Sequence, residues 1–501
     1  MRKLFIATIC GLASFAQAET FSGVSSGRTV IDYASDPSNA LILDSSKGVR
    51  YSGVNETTYG SVKVVNGDAK GSFNMASGGL NIEANVESGD YQLISALDWT
   101  MNHTYLFLSN SAANSTANLT IDIGRLLFVS GTNDQCQTLT FGQGKFTVNG
   151  TGVSSFTAAG EGVARLEVFT GTDVTWNGRL TMGANSVYDL YGKVTHTQGF
   201  TFEKGSTLNI NEGAHLYKAT SGTLYLNGTI NVASNAKLET VAGSKTELGG
   251  TLNTASDMKF YALISNGGVY NQTAGSTTLT RTTTLSNGAD WTIYEKLTLE
   301  GGDNTGSRTA ELTINDDVNF VIKNNENGKY GNRARILLNG YNHLVLNKEN
   351  AIVDENGNSV SIATIGNEKK TIECNKITIN ADQTFNTLYL GANSSLEITM
   401  ANDVMLSFVG ENSFNTADDN AYLFIYNFQE NTIQFNNSNT AVCEKIESYI
   451  KLYGETAEDF LGFAKINENG FLTLIAVPEP AEWAMILGAL ALGLAVYRKR
   501  K

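Results

Sequence analysis

The sequence predicts an all-β chain: a single right-handed parallel β-solenoid (β-helix) with terminal caps, an N-terminal signal helix and a C-terminal membrane helix. Three observations carry this expectation. A repeat near 21 residues runs through the middle of the chain, Asn (52) and Gly (50) make up about a fifth of its 501 residues, and Pro is absent between Ser38 and Val477. Stacked turns pair each strand on both sides, and Pro cannot donate to such a ladder. A string of β-sandwich domains, the alternative, would more often carry Pro in its linkers.

The elements follow in order. Residues 1–18 read as a signal peptide: Arg2 and Lys3 precede the mostly apolar run Leu4–Phe15, and Ala16-Gln17-Ala18 fits the small-x-small cleavage rule, leaving Glu19 as the first mature residue. Cys10 follows Ile9 inside the apolar run, which does not fit lipidation. Residues 19–109 are less regular and are expected to cap the start.

Residues 110–440 are assigned to the solenoid, with the period itself clear over 180–256. Asn227-Gly-Thr-Ile-Asn-Val-Ala-Ser234 repeats as Gly249-Gly-Thr-Leu-Asn-Thr-Ala-Ser256, an offset of 22; Val187 to Leu208 is 21 and Leu208 to Ile230 again 22. Leu224, Leu226, Ile230 and Val232 fall on one face, and Tyr225, Asn227, Thr229 and Asn231 on the other. An apolar-x-apolar triplet closed by Asn recurs at Asn211, Asn227, Asn315, Asn339, Asn347 and Asn380. Asn and Gly suit sharp left-handed corners. About 15 turns of 21 residues would fill 110–440.

Residues 441–477 are expected to form a C-terminal cap of a short helix and a strand. Val442, Ile446, Ile450 and Tyr453 share a helical face, and Phe471–Ile475 alternates as a strand. The last segment, 478–501, opens on Pro478-Glu479-Pro480, continues as an apolar helix over Trp483–Tyr497, and ends on Arg498, Lys499, Arg500 and Lys501. Fifteen residues make a helix of about 22 Å, short for a bilayer core of about 30 Å. Interfacial Trp483 and Tyr497 and the basic tail offset part of the difference, and the tail orients the body outside the inner membrane.

This C-terminus closely resembles the PEP-CTERM sorting signal of Gram-negative-type bacteria, through Pro478, Glu479, Pro480, the apolar helix and the basic end, over about 24 residues. The body resembles autotransporter-like β-solenoid repeats. The sorting resemblance implies processing near Pro478–Pro480 by an exosortase-type membrane peptidase, with delivery to the cell surface or exopolysaccharide. It transfers an address and no activity. A plain membrane anchor is the alternative for the same residues. The implied partners are the export translocase, signal peptidase, that membrane peptidase, the inner membrane in passing, and surface polysaccharide.

Composition narrows the function classes. Residues 1–18 carry +2 and 478–501 carry four basic and two acidic groups, so the −14 of the whole chain leaves −18 on 19–477. An acidic surface of that kind argues against nucleic acid. Cys136, Cys374 and Cys443 remain after signal removal; they form no CxxC pair and fit one bridge with a spare thiol or, at least as well, three buried thiols.

No catalytic or metal residues are assigned and no cofactor is expected. A polysaccharide lyase or glycoside hydrolase on the same scaffold is the enzymatic alternative, and it alone would call for Ca²⁺. Its candidate acids are Asp316-Asp317, Asp354-Glu355 and Asp418-Asp419; Asp354-Glu-Asn-Gly-Asn358 opens like a Ca²⁺ loop, with its Gly misplaced and the closing Glu absent. His103, His196, His215 and His343 have no ligand spacing, though His196 and His215 stand nearly one turn apart. A remote alternative is an ice- or glycan-binding surface, using Thr138-Leu-Thr140, Thr195-His-Thr197 and Thr282-Thr-Thr284, or the tyrosines Tyr217, Tyr225, Tyr261 and Tyr270. The preferred reading is an exported, surface-sorted structural or adhesive protein of the cell envelope or extracellular matrix.

Overall fold

Short runs in which every second residue is apolar set the elements: the inward side chains are mostly Leu, Ile, Val and Phe, the outward ones Thr, Asn, Lys and Tyr. The computed structural model describes residues 40–44, 50–52, 61–65, 72–84, 87–101, 104–110, 112–129, 136–302, 309–324, 334–365, 373–410, 414–416, 421–436 and 449–476. Among them every regular element is a strand, none is a helix, and the strands form a parallel β-solenoid of about 12 turns. None of these residues forms a helix long and apolar enough to cross a membrane. The chain divides into two units, Met1–Tyr294 and Glu295–Lys501.

In the first unit, three strands make a turn. Thr207–Ile210, His215–Lys218 and Thr223–Leu226 are followed by Thr229–Val232, Lys237–Thr240 and Lys245–Leu248, each parallel to the strand three places earlier. The 22-residue offset is the pairing register: Leu208 lies on Ile230, Ile230 on Leu252, and Asn231 on Asn253. One turn earlier the offset is 20, so Tyr188 and not Val187 lies on Leu208. A slip of one residue exchanges the faces of a strand. Tyr188 is therefore core and Val187 faces outward.

The register builds columns of inward side chains. Leu166, Tyr188, Leu208, Ile230, Leu252, Tyr270 and Trp291 stack in succession, all fully buried. Corners need little space: a Cβ on Gly250 would strike the Gly228 carbonyl, and one on Gly228 the Ser206 carbonyl. Asn185, Asn235 and Asn287 take left-handed φ of 56°, 56° and 54° at turns. The triplet-closing asparagines do not; four of them, Asn211, Asn315, Asn347 and Asn380, bond to a neighbouring turn through their side chains. Parallel pairing is present early in the chain too, with Ser72–Ala84 lying against Thr104–Asn110.

In the second unit, Ala310–Ile314, Asn342–Leu346, Glu373–Ile379, Ser394–Met400, Tyr422–Tyr426 and Ile450–Tyr453 pair in succession. Phe385, Phe408 and Phe435 stack in another column, with ring centroids 5.9 and 4.8 Å apart. Turns here are longer: Arg335 lies on Lys296, 39 residues earlier, and Ser361 on Arg335, 26 residues earlier. These insertions explain why the chain makes about 12 turns and not the 15 that a constant period would give.

The parallel ladder ends in an antiparallel meander, Ile450–Tyr453 to Phe460–Ile466 to Leu472–Ala476, which covers an edge that would otherwise stay open. The expected terminal strand is present as Leu472–Ala476. The helical face expected over 441–453 is a strand at Ile450–Tyr453, because Ile450 and Leu452 enter the core while Lys451 and Tyr453 turn out; residues 441–448 lie outside the described residues. Replacing Ile230 by Ala should cost about 2–5 kcal/mol by urea unfolding. The outward neighbour change Thr229→Ala should stay within about 1 kcal/mol, and equal losses would contradict the stacked core.

Candidate functional site

The outward faces are organised by side-chain ladders. Asn209 donates its amide to Asp189 (2.7 Å), Asn231 to Asn209 (2.8 Å), Asn253 to Asn231 (2.9 Å) and Asn271 to Asn253 (3.0 Å). Asp189 also accepts from Arg165 at 2.5 Å. A second ladder runs Asn177 to Asn149 to Asp122, both bonds 2.7 Å, with Thr197 donating to Asn177 at 2.8 Å. In the second unit, Asn380 donates to Asn347 (2.7 Å) and Asn347 to Asn315 (3.0 Å). These are three of the triplet-closing asparagines, so the sequence device marks a hydrogen-bonded column as well as a strand end.

Histidines are dispersed. His196 pairs in register with Lys218, while His215 pairs with Lys193, so the spacing of nearly one turn does not stack the two. His196 points inward and is fully buried beside Phe200 (ring centroids 4.4 Å), Trp176 (6.0 Å) and Tyr188 (6.3 Å). Both its ring nitrogens, the Trp176 Nε1 and the Tyr188 hydroxyl make no hydrogen bond to any described residue. Burial lowers the His196 pKa to about 3 and raises that of Tyr188. His215 faces out onto Glu239 (2.9 Å), and His343 contacts Thr378 (2.9 Å) and Glu311 (3.4 Å). His103 lies outside the described residues. Among the described residues no group of three or more His, Cys, Asp or Glu could hold a metal ion.

The candidate acids also separate. Asp316 and Asp317 form an exposed turn, and Asp418-Asp419 lie outside the described residues. Asp354 borders a cleft of about 520 Å³ with Asn324, Asn358, Ser359, Asn386 and Val409. Its carboxylate accepts four bonds: from the backbone of Asn356 and Asn358 on Oδ1, and from the side chains of Asn324 and Asn358 on Oδ2. Burial pushes its pKa up, but these bonds outweigh burial and lower it. All its lone pairs are engaged and it stays ionised, which suits a loop organiser and not a general acid.

The Thr triplets give no flat array. Leu139, His196 and Thr283 point inward, splitting each triplet between faces. Thr120, Thr147, Thr175 and Thr195 do align, but Tyr217 and Glu239 follow in that column. Of the four proposed sugar-stacking tyrosines, Tyr270 is core and Tyr225 is exposed.

An aromatic surface lies elsewhere, on the last strands of the second unit. Tyr426 stacks on Tyr453 (5.0 Å, 29°), Tyr453 meets Phe460 (5.3 Å), and Phe460 meets Phe463 edge-on (5.5 Å, 81°). Lys451 Nζ sits 4.9 Å from the Tyr422 ring and 5.7 Å from the Phe424 ring. Phe460, Phe463 and Ile475 are 39%, 42% and 47% exposed. Sequence reasoning missed this face; the outward alternation of Tyr422, Phe424 and Tyr426 was its signal.

The signal-cleavage residues Ala16, Ala18 and Glu19, the motif Pro478–Glu479–Pro480 and the anchor residues Trp483, Tyr497 and Arg498–Lys501 lie outside the described residues, as does Cys443; the side chains of Cys136 and Cys374 are likewise not described. No known family model, curated protein or solved structure matches this chain.

Two outcomes follow from this geometry. Asn231→Ala breaks a ladder in the middle and should cost about 1–2 kcal/mol by urea unfolding, whereas an unchanged midpoint would deny the ladder any role in stability. Because the folded-state pKa of His196 is depressed, its contribution is complete above about pH 6.5 and lost as pH falls toward 3. At pH 5 the loss should be about 2 kcal/mol, and His196→Leu should remove that part of the slope in urea titrations run from pH 7 to 5.

Proposed function

We propose that this chain is an exported, surface-sorted β-solenoid with a structural or adhesive role in the cell envelope or extracellular matrix. The observation that carries the reading is the set of side-chain ladders. Outward Asn and Asp groups are committed to the next turn, as expected of a rigid scaffold whose face is self-satisfied. The acidic body between two basic, apolar ends supports export, with the inner membrane as an intermediate station before the surface. On this reading Ala16-Gln17-Ala18 directs signal peptidase, and Pro478-Glu479-Pro480 directs a membrane peptidase of the exosortase type.

A glycan-active enzyme is favoured by one feature, the polar cleft beside Asp354, and the saturated hydrogen bonding of that carboxylate weighs against it. The purified chain, incubated with acidic polysaccharides and Ca²⁺, should release neither unsaturated nor reducing ends; release of either would sink the purely structural reading. Intact mass of the protein recovered from its native host should show loss of residues 1–18 and of the Arg498–Lys501 tail. A retained tail would contradict processing.

A further inference from the structure

The last strands expose an apolar face in the place where the chain leaves the solenoid. Phe463 pairs with Ile475 across the final antiparallel strands, and both are exposed. Phe460, Tyr453 and Tyr426 continue the surface through ring contacts of 5.5, 5.3 and 5.0 Å. Exposed contiguous apolar surface of this kind marks an interaction site. Its composition selects the occupant. Tyr426 and Tyr453 are stacked on each other, Phe460 and Phe463 meet edge-on, and Ile475 has no ring, so a sugar finds few free ring faces. Phenyl and aliphatic groups beside tyrosines and a lysine stem are the side chains that settle at a bilayer interface.

The tether brings that interface near. Ala476 ends the last strand, and the apolar segment begins at Trp483, seven Cα steps on. A fully extended chain covers at most about 25 Å over that interval. With the segment in the membrane, the exposed face is held at high effective concentration beside the lipid surface. Two lysines, Lys451 and Lys465, belong to the face, but the preceding turn carries Glu455, Glu458 and Asp459. The attraction is therefore apolar rather than electrostatic.

We propose that the face made by Tyr426, Tyr453, Phe460, Phe463 and Ile475 lies on the bilayer interface while the chain is anchored. This rests on the reading of 483–497 as a membrane segment. Docking would keep the sorting motif, within about 14 Å of Ala476 when extended, close to the membrane surface.

The test uses the full chain reconstituted in phosphatidylcholine vesicles, with Phe463→Trp as a reporter and Ile475→Trp as a second should the first fold poorly. The parent chain, with its own Trp483, supplies the subtraction and the anchoring control. The added emission should be quenched by lipids bearing a nitroxide near the headgroup, and its acrylamide quenching should drop several-fold on reconstitution, with no change at high salt. If Trp483 is quenched by lipid nitroxide and the added indole is not, the docking proposal falls and the anchor stands. If neither is quenched, the anchor reading fails and the docking proposal falls with it. Protection from acrylamide that rises with protein concentration, without lipid quenching, would assign the face to a second copy and overturn the proposal.

Discussion

The hydrogen-bonded contact between one turn and the next is the interaction on which this structure depends. A parallel ladder fixes register residue by residue, so whatever stands at one position of a turn meets its counterpart above and below. Inward positions become columns of apolar side chains, and outward positions become columns of matched polar ones. The sequence of seven buried residues from Leu166 to Trp291 is one product of this constraint. The run of asparagines from Asn209 to Asn271 is another. Gly at corners such as Gly228 and Gly250 follows from it as well, since consecutive turns approach there too closely for a Cβ.

Residues 180–254 of the first unit were legible in the sequence because the turns there take 20 to 24 residues, whereas elsewhere in that unit they run from 17 (Thr246 to Leu263) to 33 (Tyr105 to Thr138). The 22-residue offset placed Leu208 on Ile230 and Asn231 on Asn253, and the alternation around Leu224–Val232 assigned faces that the structure has. One misplacement there, Val187 for Tyr188, came from assuming 21 where the turn takes 20. In the second unit, insertions of variable length remove the period while leaving the strands, so the columns through Leu312, Leu344 and Ile377 are invisible to spacing although each strand alternates cleanly.

The candidate site was less legible, for a related reason. Contacts across turns depend on register, and register is what insertions hide. Tyr426, Tyr453 and Phe460 come from three strands separated by stretches of sequence of unequal length, and only the fold brings them together. Helical spacing of Val442, Ile446, Ile450 and Tyr453 misled because two of its members, Ile450 and Tyr453, belong to a strand whose alternation points them to opposite sides. The triplet-closing asparagines were read as corners because Asn tolerates left-handed backbone, a property the neighbouring Asn185 and Asn235 do use. Their amides, which can both donate and accept, turned out to matter more.

The orientation of those amides has its own consequence. A carboxylate only accepts, so Asp189 compels Asn209 to present its NH₂, and each amide then offers its oxygen to the following turn. The same logic runs from Asp122 through Asn149 to Asn177. These two columns are thus rows of aligned dipoles whose positive end rests on an anion, the arrangement a helix achieves with its N-terminus over a carboxylate. The scaffold is consequently electrically polar along these rows: the amide NH₂ groups point toward the Asp end and the amide oxygens away from it, giving the surface a direction as well as a charge.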